Sequence, residues 1–186
     1  MIAPEEIKRL KGMGFLNNRG TDCFNGRVIT KNGTLTSKEM AKVAEAAERF
    51  ASGKVTFTTR MTVEIMGIPY EKVDELIAFL AEENLTIGGT GPKVRPIANC
   101  KGSVCVYGKI DTFAIEKIHE RFYEGYRSVV LPHKFKIGVG GCPNNCIKPN
   151  LNDIGLVGNE KPLMNPEKCK ACKKCGMEAV CPVNAV

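Results

Sequence analysis

The chain has 186 residues, 43% hydrophobic and 25% charged, which is ordinary globular usage and excludes disorder over most of its length. Apolar runs such as Ala78-Phe79-Leu80-Ala81 fall far short of the roughly 18 to 20 residues that cross a bilayer. No signal-peptide pattern opens it either, so a cytoplasmic protein with no membrane partner is expected. The formal charge of +7 suits an anionic ligand or cofactor, while 6% aromatics and no tryptophan leave nucleic-acid stacking poorly supplied.

In chain order, residues 1–21 are polar and glycine-punctuated and read as an irregular N-terminal arm. Residues 26–30 form a short strand candidate, closed by an Asn32-Gly33 turn. Thr36 opens a helix with Glu39 at capping-box spacing, and Met40, Val43, Ala44, Ala47, Phe50 and Ala51 supply its apolar face up to Gly53. Residues 54–67 alternate so regularly that they read as one long half-buried strand. That places Arg60 mid-strand among threonine hydroxyls, where the segment alone reads it as a solvated arginine. Pro69 starts a second helix carrying Val73, Leu76, Ile77 and Leu80. Strand, helix, strand, helix and strand make residues 22–91 a ferredoxin-like α/β unit.

Further on, residues 93–98 and 135–140 are strand candidates. Lys134 and Lys136, two apart, point to one face and Phe135, Ile137 and Val139 to the other. An amphipathic helix over residues 111–123 carries His119, which like His133 is expected in a surface or helper role and not as a metal ligand. Cys23 stands alone as a small buried or semi-buried residue.

Nine cysteines without an export signal argue for metal or redox chemistry over a disulfide framework. Cys169, Cys172 and Cys175 crowd one loop and Cys181-Pro182 follows, which suits a ferredoxin-type 4Fe–4S cube better than the paired knuckles of zinc. Five residues separate Cys175 from Cys181, and five follow Cys181, which reads as a truncation before a second motif. Cys100 and Cys105, with Cys142 and Cys146, place four thiolates on two loops, each after a predicted strand. A cluster and a zinc ribbon both remain open for these on spacing alone.

Residues 22–158 resemble one repeat of the sirohaem sulfite and nitrite reductases. The resemblance rests on Thr58-Thr59-Arg60-Met61-Thr62, Val94-Arg95-Pro96, Leu131-Pro132-His133-Lys134-Phe135-Lys136, Gly141-Cys142-Pro143-Asn144-Asn145-Cys146 and Asp153-Ile154-Gly155-Leu156-Val157-Gly158, in the family's order. It implies a 4Fe–4S cluster on Cys100, Cys105, Cys142 and Cys146, with Cys146 bridging to a sirohaem. It implies that Arg60, Arg95, Lys134 and Lys136 hold the sirohaem carboxylates and act on the substrate anion, and it puts Asn144 and Asn145 in the cofactor loop. The tail cysteines then resemble the appended ferredoxin module of the dissimilatory and anaerobic branches.

The expected fold is α+β, with an arm (1–21), a ferredoxin-like half-domain (22–91), a 4Fe–4S and sirohaem domain (92–163) and a ferredoxin-type motif (164–186). The expected activity is reduction of sulfite or nitrite, with an electron-donor protein as partner. A lone repeat further implies a homodimer or a heterodimer with a related chain. Two alternatives stand beside it: an electron-transfer subunit without sirohaem, and a zinc-stabilised nucleic-acid binder.

Overall fold

Pro4 at the first helical position and Glu5 and Glu6 in the first turn favour a helix at the amino terminus. The computed structural model, which describes residues 2–114, 116–161, 163 and 165–182, contains it as α1 (Pro4–Met13). The irregular arm expected over residues 1–21 is thereby corrected. Gly14, at φ 118°, ends the helix, and β1 (Phe15–Asn17) follows. The polar surface of α1 concealed an anchor: Leu10 and Phe15 are both fully buried in the first core. Only glycine fits at position 14, because a Cβ there would lie 2.5 Å from Gly88 N.

The first sheet has the order β1-β2-β4-β3, antiparallel throughout, with β2 (Cys23–Val28), β3 (Val55–Phe57) and β4 (Val63–Pro69). The capping box holds: Thr36 Oγ1 accepts from Glu39 N, and the Glu39 carboxylate accepts from Thr36 N at 2.6 Å, opening α2 (Ser37–Phe50). A 3-10 turn (Tyr70–Lys72), rather than Pro69, leads into α3 (Val73–Ala81). The two helices join Val43, Ala47 and Phe50 to Leu76, Phe79 and Leu80 in one core against the sheet, with the Phe50 and Phe79 rings 5.2 Å apart.

The single long strand over residues 54–67 is a hairpin. β3 reverses into β4 with Val55 opposite Ile65 and Phe57 opposite Val63. Met61 takes a left-handed φ of 60° at the turn, and the Thr58 and Thr62 hydroxyls meet at 2.7 Å. Alternation is blind to such a reversal, because an even register keeps the same parity on one face in both arms. Arg60 therefore sits at the hairpin tip, not mid-strand.

The second sheet is parallel, in the order β5-β6-β7, with β5 (Ala98–Asn99), β6 (Ile137–Gly140) and β7 (Ile154–Val157). The strand expected over 93–98 shrinks to β5 and a bridge between Val94 and Phe135, since Pro96 has no N–H for the ladder. Lys134 and Lys136 precede β6 instead of lying in it. The helix expected from Asp111 begins later. The Asp111 carboxylate first accepts the amides of Phe113 and Ala114, Ile115 lies outside the described residues, and α4 (Glu116–Ile118) then continues as a π-helix (His119–Glu124).

His119 is not at the surface. It is 5% exposed, packs beside the buried Tyr123, and places Nε2 3.4 Å from Glu124 Oε1. Ile29, Val94, Ile97, Tyr123, Ile137 and Val139 form the second core, so Ile29 of the first unit is shared with the second. The tail adds a short α5 (Gly176–Val180) between Cys175 and Cys181. Among the described residues no helix is long and apolar enough to cross a membrane.

Candidate functional site

Chemistry-bearing residues gather at the two ends of the parallel sheet. At the carboxyl ends, Cys100 follows β5 directly and Cys142 follows β6 by one glycine. The two loops interlock through glycines: a Cβ on Gly102 would meet Gly141 Cα at 2.8 Å, and one on Gly141 would meet Gly102 Cα at 2.6 Å. Gly141 N donates to Cys100 Sγ at 2.9 Å, a backbone donor aimed at a sulfur. Cys100 and Cys142 are half-buried, whereas Cys105 and Cys146 are exposed.

Asn145 turns the second loop at φ 57°, its Nδ2 donating to Asn150 Oδ1 at 2.9 Å while its own Oδ1 is buried without a partner. Asn144 is exposed. The four thiols thus share one end of the sheet without reaching coordination geometry. Among the described residues no three of His, Cys, Asp and Glu are close enough to hold a metal ion. The donor set still fits an iron–sulfur cube, since four soft thiols stand on neighbouring strand ends whose glycines admit close backbone approach. In the tail, Cys169 and Cys172 are exposed and Cys175 and Cys181 half-buried.

The amino ends of the same strands are cationic. Arg60 reaches from the hairpin tip across to this edge, where Nε donates to Pro96 O (2.7 Å), one terminal nitrogen to Asn152 Oδ1 (2.7 Å) and the other to Ile137 O (2.6 Å). It is a strut between the two sheets as well as a cation. Burial, reinforced by Arg95, lowers its guanidinium to about 10.

Arg95 donates to Gly89 O at 2.5 Å, but its Nε is buried with no partner. Burial first, and then Arg27, push its pKa down. Arg27, Arg60 and Arg95, with Thr58, Thr59 and Thr62, line a pocket of about 70 Å³, the size of a small oxyanion. Arg95 repels both Arg27 and Arg60 across this small void, an arrangement that an anion relieves. Arg27 escaped the sequence reading; its pairing with Glu64 on the adjacent strand (2.5 Å) comes only from the β2–β4 register.

Beside this pocket lies an open groove of about 980 Å³, into which Arg95, Lys134 and Lys136 all project. Lys134 is exposed and Lys136 half-buried, with the Lys136 amide held by Asp153 Oδ2 at 2.7 Å. The structure therefore brings Arg60, Arg95, Lys134 and Lys136 to one edge, and the cysteine loops to the other. The four residues of β6 alone set them roughly 13 Å apart.

A family profile described as "Nitrite and sulphite reductase 4Fe-4S domain" matches residues 90–170. A second, "Nitrite/Sulfite reductase ferredoxin-like half domain", matches residues 18–83. The chain is 33% identical over 175 residues to the "Coenzyme F420-dependent sulfite reductase" of Methanocaldococcus jannaschii, covering 93% of this chain and 27% of that protein. It is 28% identical over 158 residues to one of the anaerobic sulfite reductase subunits of Salmonella typhimurium, covering 77% of this chain and 45% of that one. The chain thus spans less than half the length of either relative. The solved structure of the Mycobacterium tuberculosis NirA protein shares the fold, with a TM-score of 0.63 and 21% identity over 75% of this chain and 30% of that one.

Proposed function

The chain belongs to the nitrite and sulfite reductase family, and from that premise we propose that it forms the anion- and cofactor-binding unit of a reductase acting on sulfite or nitrite. The observation that carries this reading is the small pocket of three guanidiniums with Arg95 Nε left unpaired. Cys100, Cys105, Cys142 and Cys146 would hold a 4Fe–4S cluster, with Cys146 as the thiolate shared with a sirohaem. Cys169, Cys172, Cys175 and Cys181 would hold a second cluster, fed by an electron-donor protein. When bound, these groups supply electrons one at a time to an anion held in place.

The chain's own contribution is electrostatic. Arg27 and Arg95 offer donors to the anion, while Arg60 fixes the hairpin tip that bears Thr58 and Thr59. Lys134 and Lys136 stabilise the negative charge that grows as oxygen departs, and their ammonium groups are proton donors at the groove.

Because the cations and the cysteines occupy opposite ends of β6, one chain leaves both half-sites open. We assign the missing halves to a partner, either a second copy or a related subunit, whose cysteine loops face this chain's cations. The cysteine end carries exposed apolar side chains that such a contact covers: Val104 is 72% exposed and Val106 90%. The same separation favours a second reading, an electron-transfer subunit that keeps the clusters and binds no sirohaem.

Anaerobic purification followed by a visible spectrum and by iron and sirohaem counts separates the two. Soret-type and red bands, lost in Cys146→Ser while the tail cluster persists, support the reductase. A brown protein without these bands supports the carrier, and a colourless one overturns both.

A further inference from the structure

We propose that α1 is a functional wall of the basic groove, with Lys8 and Lys11 binding carboxylate groups of a polyanionic macrocycle seated against Lys93, Arg95, Lys134 and Lys136. The proposal rests on the tetrapyrrole reading above and extends it to a helix that lies outside both matched stretches, 18–83 and 90–170.

The carboxyl-terminal half of α1 borders the groove directly, through Lys8, Lys11 and the residues that follow. Three residues apart on a helix, the two lysines lie on neighbouring positions of one face. Both are exposed, and neither has an ion pair among the described residues. Arg9, between them, is already engaged by Glu6 at 2.6 and 2.7 Å, so it is not a free cation.

The wall is fixed, which makes it a binding surface and not a loose arm. Leu10 is fully buried, Thr90 Oγ1 donates to Lys11 O, and Lys93 Nζ donates to Gly12 O at 3.3 Å. Gly14 then packs on the Gly88 backbone. Seven lysines and arginines therefore line one groove, Arg9 among them already paired with Glu6, and its acidic member Asp153 has its carboxylate bonded to the Lys136 amide. Such crowding of like charge is unfavourable in the empty groove and favourable around a polyanion.

Size selects the ligand class. A groove of about 980 Å³ is far larger than an oxyanion needs and matches the upper range of small-molecule sites. Lysine ammoniums spread along two walls suit several separated carboxylates around a ring better than one compact anion.

The test is a fluorescence titration of the full chain, freed of bound tetrapyrrole, with uroporphyrin III as the probe. Lys8→Gln/Lys11→Gln is expected to weaken binding about tenfold, since each lost charge-assisted contact costs a few-fold at an exposed site. The charge-matched control Lys38→Gln/Lys54→Gln, on α2 and the hairpin, should bind as the wild type. Lys8→Glu/Lys11→Glu should reduce binding further, with the circular dichroism melt verifying the fold of each variant.

Wild-type binding by Lys8→Gln/Lys11→Gln, with Lys134→Gln/Lys136→Gln weakened, would overturn the role of α1 while leaving the groove reading intact. No loss in Lys134→Gln/Lys136→Gln would take the macrocycle out of this groove and overturn the proposal, and failure of the wild type to bind uroporphyrin III would overturn the tetrapyrrole reading itself. Equal losses in the control would reduce the effect to net charge and overturn the proposal.

Discussion

Replacing Arg60 by methionine keeps the apolar stem and removes the guanidinium, which separates its role as a strut from its role as a cation. Three charge-assisted bonds of 2.6 to 2.7 Å disappear, and two of their acceptors belong to buried residues, Pro96 and Ile137. Bonds to charged groups contribute about 1.5 to 3 kcal/mol each when buried, and about 1 kcal/mol each is appropriate for this half-buried side chain. Relief of the guanidinium's desolvation, the cause of its lowered pKa, returns part of that total of about 3 kcal/mol, leaving a loss of about 2 kcal/mol. For a chain of this size the expected fall in melting temperature is about 4 to 8 °C. Scanning calorimetry gives the global value, and amide exchange at Thr58 and Thr62 reports the freed hairpin tip. Arg60→Lys, with one ammonium for three acceptors, should fall between. A methionine variant melting within about a degree of the wild type would refute the strut.

Other perturbations address the remaining parts of the site. Gly141→Ala inserts a methyl 2.6 Å from Gly102 Cα, so the cysteine loops must part; we expect a stability loss of about 1 to 3 kcal/mol and iron lost from the 100/105/142/146 set alone, read by iron counts and electron paramagnetic resonance. Burial lowers the His119 pKa, Glu124 opposing it, so as pH falls the unfolded chain takes up the proton first. Wild-type stability should therefore decline as pH drops below about 6.5, and His119→Phe should flatten that decline; parallel urea midpoints between about pH 7.5 and 5.5 would sink the idea. Mixing Cys146→Ser subunits with Lys134→Met/Lys136→Met subunits should restore one intact site per mixed dimer, and a verified mixed dimer without activity would count against assembly in trans.

The layout of the two sheets is the basis of the proposed pairing of subunits. Parallel strands carry their loops to opposite ends, so the cysteine-bearing turns after β5 and β6 and the cations before them are separated by the strands themselves. In the proposed two-fold pairing, one end of each subunit would face the other end of its neighbour, and an isologous contact would complete both sites together.

What the sequence determined by itself is whatever depends on local chemistry and spacing. Thr36 and Glu39 announced the start of α2, because a capping box is built from residues three apart. The cysteine spacings announced two thiolate loops and a tail motif, since ligand loops are short and contiguous, and the order of motifs announced the family. Tertiary structure decided the rest. Whether residues 54–67 ran on or turned back depended on β3 finding β4, which alternation cannot encode. The polar arm became a helix because two residues, Leu10 and Phe15, found a core formed by segments far along the chain. His119 went inside for the same reason. Arg27 and Arg95 met Arg60, and Lys8 and Lys11 met Lys134 and Lys136, only once sheet register and helix docking had brought distant positions together, and such long-range pairing leaves no trace in local periodicity.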